Sequence, residues 1–345
     1  MIRVMIADDS STVRRYLENW VGSSPGFTLA ASAAEGPQAV VLFREKRPDA
    51  VVLDVEMPGM NGIEVLREIR RMDCQVPVVM FSSATQTGSR ETVAALLEGA
   101  SDYVPKPYSK SLVEVAKDSL ISKLRELSLR SRMPARISYG TEAHLSMGHW
   151  HGGRPEIIVI ASSAGGPFAL MELLTSIGEQ QVPILAVQHM TGSFLGTLAG
   201  QLTDHLGRLV QVAEGGEFVE EGRIFLAPAG RHLVVEEGRS GLVTQLLDTP
   251  PVNSCKPAAD VLFSSVAYLG HRSLGIVLSG MGTDGLEGSA RIVAGGGLVF
   301  AQDASSSPVW GMPGAVVNAG LAAFVGDPRQ IGLRLSGDPR SSAHR

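Results

Sequence analysis

Cysteine is nearly absent: Cys74 and Cys255 are the only two in 345 residues. They fall in different halves of the chain without metal-ligand spacing, which excludes a disulfide-stapled scaffold or a zinc finger and fits a reducing compartment. Positive charge is also short. Lys and Arg number 30 against 35 Asp and Glu, so the formal charge is −5, and the general phosphate attraction of a nucleic-acid binder is missing. Long apolar runs are missing too. None approaches the roughly 18–20 residues that span a bilayer, and the opening Met1-Ile2-Arg3-Val4-Met5-Ile6-Ala7 is interrupted at once by Asp8 and Asp9. The expectation is a cytoplasmic protein with no membrane insertion and no nucleic-acid partner. What is present is 44% hydrophobic and 19% charged, the balance of a soluble globular protein, at a length that calls for two domains.

Apolar runs at 4–7, 50–53 and 76–81 alternate with helix-like segments at 10–21 and 62–71. This is a βα repeat, which builds a parallel sheet covered by helices on both faces. Polar residues stand at the ends of the predicted strands: Asp8-Asp9, Asp54, Ser82, and Lys106 after Asp102-Tyr103-Val104-Pro105. Strand ends of a parallel sheet share one edge, so three carboxylates, a hydroxyl and an ammonium should converge there. Clustered carboxylates repel and call for a cation. Oxygen-only ligands favour Mg²⁺, which keeps waters and readily holds a phosphoryl group.

These residues resemble a response-regulator receiver domain, carried by Asp54-Val55-Glu56-Met57-Pro58-Gly59-Met60-Asn61-Gly62 and Lys106-Pro107. The resemblance covers residues 1–120 and implies a flavodoxin-like fold. It further implies phosphorylation of Asp54, with Mg²⁺ held by Asp9, Asp54 and the Glu56 carbonyl and assisted by Asp8. Lys106 would contact the phosphoryl group, and Ser82 with Tyr103 would report its presence to the far face. Leu112, Val115, Ala116, Leu120, Leu124 and Leu127 keep helical spacing beyond this domain. The spacing predicts that the last receiver helix runs on to about Leu129, into residues 121–154 that are assigned as a linker; from Arg130 to Arg154 the pattern gives way to Arg, Ser, Gly, Pro and His. Its His144, His149 and His151 lack an accompanying Cys or acidic pair and are read as solvated.

The second domain, assigned to 155–326, opens on Ile157-Ile158-Val159-Ile160-Ala161-Ser162-Ser163-Ala164-Gly165-Gly166-Pro167. The apolar run reads as a strand buried on both faces, and Pro167 suits the first turn of a helix. A hydroxyl between them faces a sheet edge and the positive end of a helix, where a nucleophile is useful; an anion-binding glycine turn would look the same. Two further strand-then-turn units end in Gln188-His189-Met190 and in Ser279-Gly280-Met281-Gly282-Thr283-Asp284-Gly285. If the strands are parallel, Ser163, His189 and Asp284 share one edge and supply what acyl transfer needs: an attacking oxygen, a base, and an anion fixing the base's tautomer. Singly, each has a structural alternative as a cap, a turn residue or a core histidine. The order Ser…His…Asp and the missing G-x-S-x-G elbow exclude an ordinary α/β-hydrolase esterase.

With Ala227-Pro228-Ala229-Gly230-Arg231-His232-Leu233, Ala301-Gln302-Asp303 and Trp310-Gly311-Met312-Pro313-Gly314, these stretches resemble the catalytic domain of the CheB family of chemotaxis methylesterases and glutamine deamidases. The resemblance implies a doubly wound, Rossmann-like parallel sheet and a serine hydrolase with Ser163 as nucleophile, His189 as base and Asp284 as its partner. The Met281 N–H would serve as an oxyanion donor, and no cofactor is expected in this domain. It implies chemoreceptors as substrates, a CheA-type histidine kinase as phosphate source, control of hydrolysis by receiver phosphorylation, and a monomeric protein. This chain departs from the family pattern at Ala164, where a threonine is usual, and at Lys256, where an arginine is usual; Ser162 is a decoy beside Ser163. The alternative is a catalytically weakened member that acts by docking. Residues 327–345 are assigned as a polar tail.

Overall fold

The computed structural model describes residues 1–83, 85–131, 155–178 and 182–336. The chain divides into two compact units, Met1–Pro134 and Ala135–Arg345. In the first, strands Ile2–Ala7 (β1), Phe27–Ala33 (β2), Ala50–Leu53 (β3), Val78–Ser82 (β4) and Asp102–Pro105 (β5) alternate with helices Ser11–Ser23 (α1), Gly36–Lys46 (α2), Gly62–Met72 (α3), Gln86–Leu97 (α4) and Val113–Ser131 (α5). Every pairing is parallel and the strand order is β2-β1-β3-β4-β5. The order reverses between β1 and β3, so the crevice beyond their carboxyl ends receives Asp8, Asp9 and Asp54. Residues β3 and β4 are buried throughout, as strands covered on both faces must be. β2 has no apolar alternation because it is an edge strand with intermediate burial along most of its length.

The second unit holds Ile157–Ser162 (β6), Gly166–Ile177 (α6), Ile184–Gln188 (β7), Gly192–Leu206 (α7), Val210–Val212 (β8), Ile224–Leu226 (β9), His232–Gly238 (β10) and Gly241–Leu247 (β11). It continues with Ala259–Val266 (α8), Ser273–Val277 (β12), Leu286–Ala294 (α9), Leu298–Gln302 (β13), Met312–Asn318 (α10), Phe324–Gly326 (β14) and Pro328–Ser336 (α11). Seven strands form a parallel sheet in the order β14-β13-β12-β6-β7-β9-β8, and β10 and β11 form an antiparallel hairpin. The chain leaves β6 towards β7 and later returns to its other side at β12. The reversal therefore lies at β6, between the strands that end in His189 and in the turn before Asp284. All six β6 residues are buried.

Two boundaries differ from the sequence assignment. Residues 121–131 of the assigned linker are the end of α5, as the leucine spacing to about Leu129 predicts, and Leu124 and Leu127 are buried there. The rest of that segment, 132–154 with His144, His149 and His151, lies outside the described residues. The start of the assigned polar tail is also a helix: α11 packs on α6 and buries Pro328, Ile331 and Gly332. Its mixed composition hides it, because a single short apolar stripe is enough to dock a two-turn helix. Residues 337–345 lie outside the described residues. No helix among the described residues is long and apolar enough to cross a membrane.

Candidate active site

The turn after β6 separates two adjacent serines. Ser162 belongs to the strand, is fully buried, and donates to Gln188 Oε1 at 2.7 Å. Ser163 comes one residue later and is half-buried, with its N–H given to the Ser279 carbonyl at 2.9 Å. Its hydroxyl makes no hydrogen bond to a described residue. The Gln188 amide closes the arrangement by donating to the Ser163 carbonyl at 3.0 Å. Gly165 takes φ 72°, a left-handed conformation that strains a side chain, and a Cβ there would stand 2.7 Å from Pro308 Cγ. The glycine pair thus turns the chain sharply enough to leave the Ser163 hydroxyl facing out ahead of α6.

His189 arrives from the neighbouring strand. Ser162 pairs with Gln188 in the ladder, which puts Ser163 and His189 level on adjacent strands. His189 Nε2 lies 2.9 Å from Asp284 Oδ2. An ionised carboxylate can only accept, so Nε2–H donates and Nδ1 is the basic nitrogen. Asp284 is buried and takes two more bonds from the first turn of α8, Ala259 N–H to Oδ2 at 2.7 Å and Asp260 N–H to Oδ1 at 3.0 Å. Burial works against its charge, but His189 and these N–H groups hold the carboxyl below its usual range. Met281, in the turn after β12, gives its N–H to no described acceptor. Its neighbour Gly280 is so close to the serine that a Cβ there would stand 2.9 Å from Ser163 Cβ and 2.2 Å from Met312 Sδ.

Burial disfavours the imidazolium form of His189, but the Asp284 bond and then Cys255 outweigh it and push the ring from 6.5 up to about 9. A base must be neutral to accept the serine proton. Hydrolysis with kcat/KM governed by this group should therefore rise about tenfold per pH unit above neutrality and level off near pH 9. A pH–rate profile already flat from pH 6.5 would contradict that.

At the edge of the first sheet, Asp8, Asp9 and Asp54 place carboxylate oxygens within 4.8 Å of one another. Lys106 Nζ bridges two of them, 2.9 Å from Asp8 Oδ2 and 2.8 Å from Asp54 Oδ2. Burial pushes the Asp54 carboxyl up to about 6, with Lys106 opposing and Asp8 adding to the shift. Gly62 matters for a steric reason: a Cβ there would meet the Asp54 carbonyl oxygen at 2.0 Å. Ser82 ends β4 and its buried hydroxyl accepts from Thr92 Oγ1 at 2.6 Å, while Tyr103 is buried one strand away. The Glu56 side chain is exposed, and its N–H donates to Asp54 Oδ1 at 3.4 Å.

A family model described as CheB methylesterase matches residues 158–335, just over half the chain, and one described as a response regulator receiver domain matches 4–117. The chain belongs to the CheB methylesterase family. A protein-glutamate methylesterase/protein-glutamine glutaminase of Rhodopseudomonas palustris (strain BisB5) is 39% identical over 359 residues, covering 97% of this chain and 93% of its own. Protein-glutamate methylesterase/protein-glutamine glutaminase 2 of Caulobacter vibrioides is 40% identical over 349 residues, covering 99% and 100%. The crystal structure of the Thermotoga maritima CheB methylesterase catalytic domain superposes with a TM-score of 0.52 at 31% identity, covering 53% of this chain and 98% of that one.

The departures from the CheB pattern fall beside the site and leave the His189–Asp284 pair intact. Ala164 is buried and contributes its carbonyl, which accepts from Ser279 Oγ at 2.7 Å. Lys256 pairs with Asp248. His232, in one of the CheB stretches, is buried and structural: Nδ1 accepts from Ala258 N–H at 3.1 Å, so the proton is on Nε2, which donates to the Pro250 carbonyl at 3.1 Å. Sequence reasoning missed three supports. Gln302 Oε1 accepts from Ser279 N–H at 2.7 Å and so braces the turn that carries Met281. Asp260 links α8 to α9 by accepting from Gly288 N–H at 2.8 Å. Cys255 stands beside His189. Gln188 and Gln302 sit at strand ends and could have been suspected for that; nothing local marks Asp260 or Cys255.

The Gly280 contact gives a test of how tightly this turn is packed. Gly280→Ala should cost about 1–3 kcal/mol of stability, the usual penalty of overpacking. It should also slow hydrolysis by displacing Ser163, read from the urea midpoint and the rate together.

Proposed function

We propose that this CheB-family chain is a receiver-controlled serine hydrolase that cleaves glutamate γ-methyl esters on chemoreceptors and deamidates glutamines there. The observation that carries this is the His189–Asp284 bond one strand away from the half-exposed Ser163, at the point where the strand order reverses. The relatives' names supply the substrate class and favour hydrolysis over docking alone.

In this mechanism His189 Nδ1 takes the Ser163 proton as Oγ attacks the ester carbonyl carbon, and the Met281 N–H stabilises the oxyanion. Collapse expels methoxide, which leaves as methanol with the proton from His189. Water, deprotonated by the same nitrogen, then releases glutamate and regenerates Ser163. A glutamine amide follows the same course and releases ammonia. Asp284, held by the α8 N–H groups, keeps the ring oriented and stabilises its charged form.

In the receiver, Asp54 is the phosphoryl acceptor. Asp8 and Asp9 form with it an all-oxygen donor set suited to Mg²⁺, which would neutralise charge on the transferring phosphoryl group. Lys106, already bridging Asp8 and Asp54, would pair with the phosphoryl oxygens, and Ser82 and Tyr103 would carry the change onward. A CheA-type kinase in the cytoplasm is the proposed phosphate source. Methanol release from methyl-labelled receptor membranes, with and without a small phosphodonor and Mg²⁺, tests both halves: release stimulated by phosphodonor is expected, and no release with cognate receptors present would overturn the hydrolase.

A further inference from the structure

We propose that a thiophilic divalent cation of the Zn²⁺ class binds at His189, Cys255 and Asp284 and shuts the hydrolase off. A ring nitrogen of His189, the Cys255 sulfur and an Asp284 carboxylate oxygen all lie within 4.8 Å of one another. Ligand atoms about 2.0–2.3 Å from a tetrahedral zinc stand about 3.3–3.8 Å apart. The His189 Nε2–Asp284 Oδ2 pair, at 2.9 Å, is already closer than that, so an ion ligated by both atoms would replace the Nε2 proton and open the pair slightly. One nitrogen, one sulfur and one oxygen suit a borderline-soft metal and leave a fourth position for water. The same set is wrong for Mg²⁺, which demands six oxygens in octahedral geometry. The receiver's oxygen cluster has the opposite preference, so the two sites would sort ions by chemistry.

The thiol is fixed in place. Val252 and Cys255 pair backbone to backbone across Asn253 and Ser254, which take φ of 51° and 63°. The Asn253 amide donates to Asp260 Oδ2 at 2.8 Å, and Asp260 N–H donates to Asp284 Oδ1 at 3.0 Å. The turn that carries the sulfur and the turn that carries the Asp284 carboxylate are therefore tied through one residue, Asp260 at the start of α8. His189 and Cys255 are half-exposed while Asp284 is buried, so an ion would enter from solvent and meet the carboxylate last.

Such an ion would take the imidazole and Asp284 out of proton transfer. It acts as an inhibitor, outside the catalytic cycle. The inhibition rests on the proposed role of His189 as base; the binding does not.

The test uses the full chain with Cys74→Ser, which removes the exposed second thiol, in excess Mg²⁺ to saturate the receiver. Co²⁺ should produce a thiolate-to-cobalt charge-transfer band that Zn²⁺ abolishes, and the band should vanish in the added Cys255→Ser and, separately, His189→Gln variants. The receiver carboxylates cannot give this band. One equivalent of Zn²⁺ should slow methanol release at least tenfold in Cys74→Ser and less than twofold when Cys255→Ser is added, each against its own metal-free rate. No band, a band that survives His189→Gln, or equal Zn²⁺ sensitivity with and without Cys255 would overturn the site. A band with no loss of hydrolysis would overturn the inhibition. A metal-free protein that releases no methanol would instead overturn the hydrolase assignment, while the band still decides the site.

Discussion

Ser163→Ala should abolish methanol release, a loss of about 10⁴-fold or more, while Ser162→Ala keeps the rate within about tenfold. The two residues are adjacent and chemically identical, so the difference is a matter of placement. Ser163 is half-exposed, its hydroxyl makes no hydrogen bond to a described residue, and it stands level with His189. Ser162 is buried and donates to Gln188. Removing the Ser162 hydroxyl leaves Gln188 Oε1 without that donor inside the protein, at a cost of about 1–3 kcal/mol in stability. The paired readout is therefore a rate lost without stability at 163, and stability lost with the rate largely kept at 162. A rate lost at 162 and retained at 163 would exchange the two assignments.

Asp54→Asn should eliminate incorporation of phosphate from a small phosphodonor and, with it, all phosphodonor stimulation of hydrolysis. The unstimulated rate should remain. Lys106 is held by Asp8 and Asp54 against the cost of its burial, and the two carboxylates keep its ammonium charged. Lys106→Ala leaves both carboxylates buried without their cation, which should destabilise the first unit as well as weaken the response. Asp54→Asn keeps the shape and removes the acceptor, so it is the cleaner variant. Stimulation that survives Asp54→Asn would move the phosphorylation site elsewhere.

Much of this protein was legible in one dimension because parallel strands leave a plain record. Strands 50–53 and 157–162 are buried on both faces, so they carry continuous apolar runs, 50–53 and 157–161, and the residues just beyond each run stand at the sheet edge. That rule places Asp8, Asp54, Lys106, Ser163 and His189 at strand ends, where the structure has them. It failed where burial is partial. The edge strand β2 and the helix α11 each bury only a few side chains, so neither prints a pattern strong enough to read. Ser82 stands at the end of β4 as its strand-end position predicts, and only the structure shows that its hydroxyl accepts from Thr92. Position along a strand fixes the edge; the neighbours decide the direction in which a side chain leaves it.

The sequence by itself determined the two parallel-sheet units and the residues that stand at their carboxyl edges, since local periodicity and strand ends need no knowledge of distant contacts. Only the tertiary structure shows that Ser162 is buried while Ser163 is half-exposed, and that it is Nε2 of His189 that meets Asp284. It alone showed that the α8 N–H groups hold Asp284 and that Cys255 stands beside the His189–Asp284 pair. Each of these depends on groups brought together across long stretches of chain, such as Ser162 with Gln188 and Asp284 with Ala259. Such contacts arise from packing and have no signature in the residues that flank them.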